Sequence, residues 1–417
     1  MDSKPANADL LTDASRRSFM RVMGAGAMGA VAIPILTEAH FAWAQTAAPA
    51  AAHAAAPRRF MRAAPPADAV LINANENPLG PCMAACDAIS AVGPKGGRYD
   101  FDGEGTKLTL VLSSQLGLKP EYIAVYAGSS EPLHYTTLAF TGPSKSFVSA
   151  NPSYEAGTRA AAVSGAKVHY VPLTADYAHD VKGMVAADPN AGVLYICNPN
   201  NPTGTITSRE DILWALANKP AGSILLVDEA YIHLSDAHSV MDQVAAGKDL
   251  IVLRTFSKIY GMAGIRCGYA AGRPDLLAKL EPYGMNAMPV TALAAARASL
   301  LDESLVPTRK KIIGDTRNDT FAWLKANNYS FIPSQSNCFM IDVKRPGREV
   351  ITAMQQKNVF IGRTWGIWPN SVRVSVGTPE EMAKFKVAFK EVMSTPATAT
   401  ARLDVENPFN VPFSHLG

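Results

Sequence analysis

Charge is scarce in this chain and evenly matched. Only 18% of its 417 residues are charged and the net charge is +3. No block of Lys and Arg interleaves with aromatic residues, so a nucleic-acid partner is not expected. Cysteine is scarcer still: Cys82, Cys86, Cys197, Cys267 and Cys338, an odd number that leaves at least one thiol free or intermolecular. Cys82 and Cys86 are expected on one helix face. There Cβ atoms stand roughly 5–6 Å apart, against the roughly 3.5–4.5 Å a disulfide needs, so the two read as packed thiols. CxxC, HExxH and EF-hand spacings are all missing and the eight histidines are scattered, so no metal site is expected. What remains is the composition of a globular enzyme, 48% hydrophobic, with enough length for a large core and two domains.

The first sixty residues form a separate object. "SRRSFMR" (15–21) precedes a short apolar, Gly/Ala-rich run at 22–36, and "AWA" (42–44) follows. A charged segment, a short apolar segment and a small-x-small site describe a secretory signal too short to span a bilayer comfortably. Arg16-Arg17 after Ser15, with Phe19, resembles a twin-arginine export signal read by the translocation machinery. The expectation is cleavage after Ala44 and a periplasmic or exported product, or a membrane tether if the signal stays on. Residues 45–62, rich in Ala and Pro, are expected to be a linker.

From residue 120 onward short apolar runs alternate with helical patterns, as in βαβ units and a mainly parallel sheet. Four runs end in polar groups. "YIAVYAGSSEPLHYTTLAF" (122–140) is a strand, then Gly128-Ser129-Ser130, then a helix. "VLYICNPNNPTG" (193–204) runs into turns, "SILLVDEAY" (223–231) leads to Asp228, and "LIVLRTFSK" (250–258) leads to Lys258. Open α/β sheets bind ligands beyond the carboxyl ends of their strands, so these groups should meet in one crevice. Gly128, Ser129 and Ser130 at a helix N-terminus offer an anion site, to which Thr255, Ser257 and Arg266 add donors and a fixed charge. A buried Asp228 needs a cationic partner. A lysine whose surroundings depress its pKa can be a Schiff-base nucleophile, the expected role of Lys258.

"NPNNPTG", "VDEAY" and "RTFSK…GIRCGY", in this order and spacing, resemble fold-type I pyridoxal-phosphate aminotransferases, and "NANENPLGP" (73–81) resembles their histidinol-phosphate aminotransferase-like branch. The resemblance covers about 65–395. It implies a doubly wound, mainly parallel α/β large domain at 90–285, a smaller α/β domain from 63–89 and 286–395, and a polar tail at 396–417. It also implies a homodimer with cofactor sites at the interface. By motif match, Lys258 carries pyridoxal 5'-phosphate and later shuttles the proton, while Asp228 pairs with the ring nitrogen. Asn201 and Tyr231 bind the ring 3-oxygen, and Gly128, Ser129, Ser130, Thr255, Ser257 and Arg266 surround the phosphate. Tyr154 is expected beside the ring, and Tyr99 in "RYDF" at the phosphate of the partner's site. Arg373 in "SVRVSVGT" is expected to clamp the substrate α-carboxylate. Arg363 stands where the family often carries an arginine near the distal end of the substrate, and Trp365 and Trp368 are candidates for pocket or core.

The expected reaction is amino-group transfer between an L-amino acid and a 2-oxo acid by a ping-pong route. A lyase, decarboxylase or oxidase on the same fold, or an exported binding module without turnover, are the alternatives. Export separates the chain from cytoplasmic histidine biosynthesis. "RYDF" for the family's "RYPD", and the Met/Ala-rich "NAMPVTALAAARA" (286–298), change places that shape the pocket and the dimer contact. Loss of phosphate-ester recognition is expected with them.

Overall fold

The structure is a computed structural model and describes residues 65–100, 102–284 and 287–395. The expected signal peptide, linker and tail lie outside the described residues, as does Phe101 of "RYDF". A short strand β1 (Val70–Ile72) comes first. Seven strands then build the main sheet: β2 (Ile123–Tyr126), β3 (Ser146–Asn151), β4 (Val168–Pro172), β5 (Ala191–Cys197), β6 (Ile224–Asp228), β7 (Leu250–Thr255) and β8 (Gly268–Gly272). Their spatial order is β2-β8-β7-β6-β5-β3-β4, with β4, β3, β5, β6 and β7 parallel and β8 antiparallel to both neighbours.

The alternation of side chains explains why these strands read as unbroken apolar runs. Val193, Tyr195, Cys197, Leu226, Ile251 and Leu253 face one layer, packed with Leu133, Phe140, Ala156 and Ala161 of the helices Ser130–Phe140 and Ala156–Val163. Leu194, Ile196, Leu225, Val227, Leu250 and Val252 face the other, with Leu108, Leu112, Ile212 and Ala215. A parallel sheet covered on both faces has no polar side to show. Chemistry is therefore confined to the strand ends, and register brings those ends level. Cys197 pairs with Asp228 and Asp228 with Leu253.

Four further strands follow, β9 (Ser330–Phe331), β10 (Cys338–Asp342), β11 (Val359–Ile361) and β12 (Ser371–Ser375). They form an antiparallel sheet β12-β10-β9 and a parallel pair β1-β11. The last helix, Pro379–Ser394, opens on a capping box: Glu381 N donates to Thr378 Oγ1 (3.2 Å) and Thr378 N to Glu381 Oε2 (2.8 Å). Proline at its first turn has no N–H to leave unpaired.

The two neighbouring cysteines do not form a packed pair. Cys82 is the N-cap of the helix Met83–Val92, with extended dihedrals that take it off the helical face, and it is buried. Cys86 is on the helix and exposed, and all five thiols are free.

One buried ion pair fastens the end of β7. Arg254 Nε and Nη2 donate to Glu229 Oε2 at 2.9 and 2.7 Å, and Ser239 Oγ and Val240 N complete the carboxylate's partners. Both residues are buried. Removing one partner strands the other charge in a dry place, at a cost of about 3–5 kcal/mol. Arg254→Met is therefore expected to lower the unfolding free energy by about that amount, read from the urea midpoint at unchanged slope; a loss under about 1 kcal/mol would mean that Glu229 is satisfied without Arg254.

Candidate active site

The loop after β2 and the loop after β7 face each other across the sheet edge. Gly128 has φ +92°, and a Cβ there would lie 2.2 Å from Arg266 Nη2, so only glycine lets the arginine close over the turn. Arg266 Nη2 donates to Ala127 O (3.0 Å), and its Nη1 donates to Ala263 O (3.0 Å) and, at 3.4 Å, to Ser257 Oγ. Thr255 Oγ1 donates to Ser257 Oγ (2.9 Å) and accepts from Ser257 N (3.1 Å). Ser130 Oγ and Tyr154 Oη are 3.1 Å apart, and Ser129 is the buried N-cap of the helix Ser130–Phe140. A helix N-terminus, several hydroxyls and a guanidinium make a cradle for a phosphate-sized anion.

Asp228, the last residue of β6, is 2% exposed. Its Oδ1 accepts from Ala230 N (3.1 Å) and its Oδ2 from Tyr195 Oη (3.0 Å). Burial pushes the carboxyl up to about 6, against the pull of these bonds and of Lys258. Lys258 lies three residues beyond β7 and is 4% exposed, with Nζ 5.6 Å from the centre of the Tyr231 ring. Burial, then the cations Arg373 and Arg266, lower its ammonium to about 8. The backbone around it is held from far away: Asn77 Nδ2 donates to Lys258 O (3.0 Å) and Ile259 O (3.1 Å). Asn75 Nδ2 donates to Tyr231 Oη (3.1 Å) and Cys338 Sγ (3.2 Å).

Arg373, on β12, is 7% exposed. Its Nη1 donates to Asn201 Oδ1 (3.0 Å) and its Nη2 to Asn73 O (2.9 Å), while Nε is buried with no partner among the described residues. A buried donor left open is a place for an acceptor to arrive. Arg363 and Arg373 both lie against the Trp365 ring. The Arg363 guanidinium is 4.3 Å from the ring centre and that of Arg373 is 5.7 Å. Arg363 Nη2 also donates to Glu155 Oε2 at 2.6 Å.

The residues expected in the chain's own site thus gather at one place. Tyr99, expected at the phosphate of the partner's site, is 89% exposed and lies apart from this cluster. The structure adds residues that the sequence reading left without a role: Tyr195 on Asp228, Asn75 on Tyr231, Asn77 on the Lys258 backbone and Glu155 on Arg363. Asn75 and Asn77 lay in "NANENPLGP", a motif noticed but assigned no contact. Tyr195 and Glu155 carried no local signal.

The sequence model of the aminotransferases of class I and II matches residues 60–389. The chain belongs to this family. The histidinol-phosphate aminotransferase of Moorella thermoacetica is 32% identical over 338 residues, covering 78% of this chain and 86% of that one. The one from Symbiobacterium thermophilum is 33% identical over 336 residues, covering 78% and 91%. The crystal structure of histidinol-phosphate aminotransferase from Sinorhizobium meliloti in complex with pyridoxal-5'-phosphate superposes with a TM-score of 0.72 at 26% identity, covering 77% of this chain and 90% of that chain. The protein is a pyridoxal-phosphate-dependent transaminase of fold-type I.

The residues present fit that cofactor. The Gly128–Arg266 cradle suits its phosphate, the doubly hydrogen-bonded Asp228 suits a ring N–H, and an amine lowered to about 8 suits an aldehyde. The neutral amine is the reactive form. In the apoenzyme, the rate of combination with pyridoxal phosphate is therefore expected to rise with pH and level off above about 8, followed by absorbance in a stopped-flow experiment. A rate flat from about pH 6 to 9 would show that Lys258 is already neutral well below its expected midpoint.

Proposed function

We infer that this transaminase moves an amino group between an L-amino acid and a 2-oxo acid by a ping-pong route, outside histidine biosynthesis and after export. The observation that carries the transfer chemistry is the buried Lys258, its Nζ over the Tyr231 ring and electrostatically coupled to Asp228 and Arg373. Pyridoxal phosphate supplies the aldehyde that holds the amino group and the protonated ring that accepts electrons. The chain supplies the rest. Arg373 would hold the substrate α-carboxylate and so select the Cα bond that breaks. Lys258 Nζ would take the Cα proton and return a proton to the cofactor's aldehyde carbon, on the other side of the nitrogen being transferred. Asp228 keeps a proton on the ring nitrogen, and Asn201 and Tyr231 hold the ring oxygen. Arg266, Ser129, Ser130, Thr255 and Ser257 hold the phosphate.

Two features support a substrate other than a phosphate ester. Glu155 already pairs with Arg363, the cation that family resemblance would give to a distal anion, at 2.6 Å, and with Arg159 at 3.7 Å. The Arg363 guanidinium lies over Trp365, which fixes it further. Export is supported by Arg16-Arg17 and the small-x-small site at 42–44. A homodimer accords with the family.

Single L-amino acids added to purified holoenzyme without an oxo acid are expected to convert bound pyridoxal phosphate to its pyridoxamine form, read by absorbance. The amino acid that does so names the donor. Return of the starting spectrum as product builds up would point instead to lyase, decarboxylase or oxidase chemistry. Glu155→Gln is expected to raise kcat/KM for donors with a distal acid or phosphate about tenfold over neutral donors, since it frees Arg363; an unchanged ratio would remove Arg363 from the substrate. Arg16→Lys with Arg17→Lys is expected to keep the full-length chain in the cytoplasmic fraction of a host with a twin-arginine system. Unchanged fractionation would remove the export reading.

A further inference from the structure

Tyr195 sits in the middle of β5, where every other side chain is there to fill a layer. It is wholly buried, and on packing grounds a phenylalanine would serve. Its hydroxyl nevertheless reaches Asp228 Oδ2 at 3.0 Å, across one strand and 33 residues of chain. The ring is held by its neighbours, and Cys197 is another side chain that its hydroxyl feels. Phe147 on β3 stacks on it at 5.9 Å with planes 27° apart. Phe147 can sit there because residue 157 is glycine: a Cβ at Gly157 would come within 2.4 Å of the Phe147 ring. Gly157, Phe147, Tyr195 and Asp228 therefore form a packed line ending in one hydrogen bond. The two carboxylate oxygens receive one donor each, Ala230 N on Oδ1 and Tyr195 Oη on Oδ2. The other ionisable groups that feel Asp228 are Lys258 and Glu229, together with Cys197 and Tyr154. No other side chain donates to it among the described residues.

We propose that Tyr195 is a positioning residue for the cofactor chemistry: its hydroxyl orients Asp228 and keeps the shared proton on the ring nitrogen rather than on the carboxylate. A carboxylate and a pyridine that share one proton divide it according to their basicities. A donor to the carboxylate makes it the weaker base and leaves the proton on nitrogen, where the ring draws electrons most strongly. The backbone N–H of Ala230 does the same at the other oxygen, but only the tyrosine can be removed without disturbing the chain path. A hydrogen bond to a charged group in so dry a place carries enough free energy to move such a balance. The inference rests on Asp228 facing the ring nitrogen.

The test uses holoenzyme reconstituted with pyridoxal phosphate carrying nitrogen-15 in the ring. In Tyr195→Phe the ring nitrogen resonance is expected to move toward that of neutral pyridine. At the same time kcat should fall about tenfold or more with KM for the amino donor within about twofold. Tyr195→3-fluorotyrosine, a stronger donor of the same shape, is expected to move the resonance the other way; it also keeps the question open to experiment if the phenylalanine variant folds poorly. A purely structural Tyr195 would lower thermal stability in either variant and leave the resonance in place, and that result would overturn the proposal. Asp228→Asn is the reference. It should carry the resonance to the neutral value, and if it does not, the placement of Asp228 on the ring nitrogen fails, which is a separate failure from that of Tyr195.

Discussion

The site depends on keeping an amine dry without giving it a carboxylate to pair with. Lys258 is buried, the Arg373 guanidinium presses on it more strongly than Glu76 favours its charge, and the aromatic face of Tyr231 lies alongside. Each of these disfavours or fails to neutralise the ammonium. An ordinary buried lysine would pull its loop toward water or toward an aspartate. Here the loop is held by its backbone instead, through Asn77 and through Arg309 Nη1, which donates to Ile259 O at 3.1 Å. The fixed backbone lets the side chain stay uncommitted.

The remaining charges are sorted so that they do not compromise that amine. Glu229 is adjacent to Asp228 in sequence but is taken up by Arg254 and Ser239 on the far side of the strand end. Glu155 is taken up by Arg363. Asp228 is given one backbone and one phenolic donor, enough to hold a charge and too few to saturate four lone-pair positions. What is left without a partner is informative. Arg373 uses both terminal nitrogens on protein atoms and keeps Nε open, so an incoming acid group is met by a guanidinium already fixed in place. Pre-paired charges set the geometry, and the open donor sets the chemistry.

Much of this was legible in the sequence because parallel strands put their chemistry at their ends. Gly128-Ser129-Ser130, Asn201, Asp228 and Lys258 each follow an apolar run, and the sheet register brings them level. Arg373 was placed by its motif and arrives from a different sheet. The residues that escaped were those whose meaning lies in a partner many positions away. Tyr195 looks like one more apolar residue of a strand until β6 is laid beside it. Glu155 looks like a helix-start acid until Arg363 comes across 208 residues to meet it. Cys82 and Cys86 were misjudged for the opposite reason, since local spacing suggested a shared face and a single capping residue at the helix start undid it. Short-range pattern finds ends of elements, and tertiary register decides what touches them.

Asn73 and Asn75 join the site to β12 over 300 residues: Arg373 Nη2 donates to Asn73 O, and Asn75 N donates to Ser375 Oγ. A chain that emerges from the ribosome in order holds the phosphate cradle and the lysine loop long before it holds their closing strand. The first and last segments of the folded body have to find each other before Tyr231, Asn201 and Arg373 stand where they do here. Contacts of such long range carry a large loop-closure cost and slow folding. A ligand that needs all of them at once therefore distinguishes the finished chain from every shorter or half-folded one. The filled site doubles as a record that folding was completed.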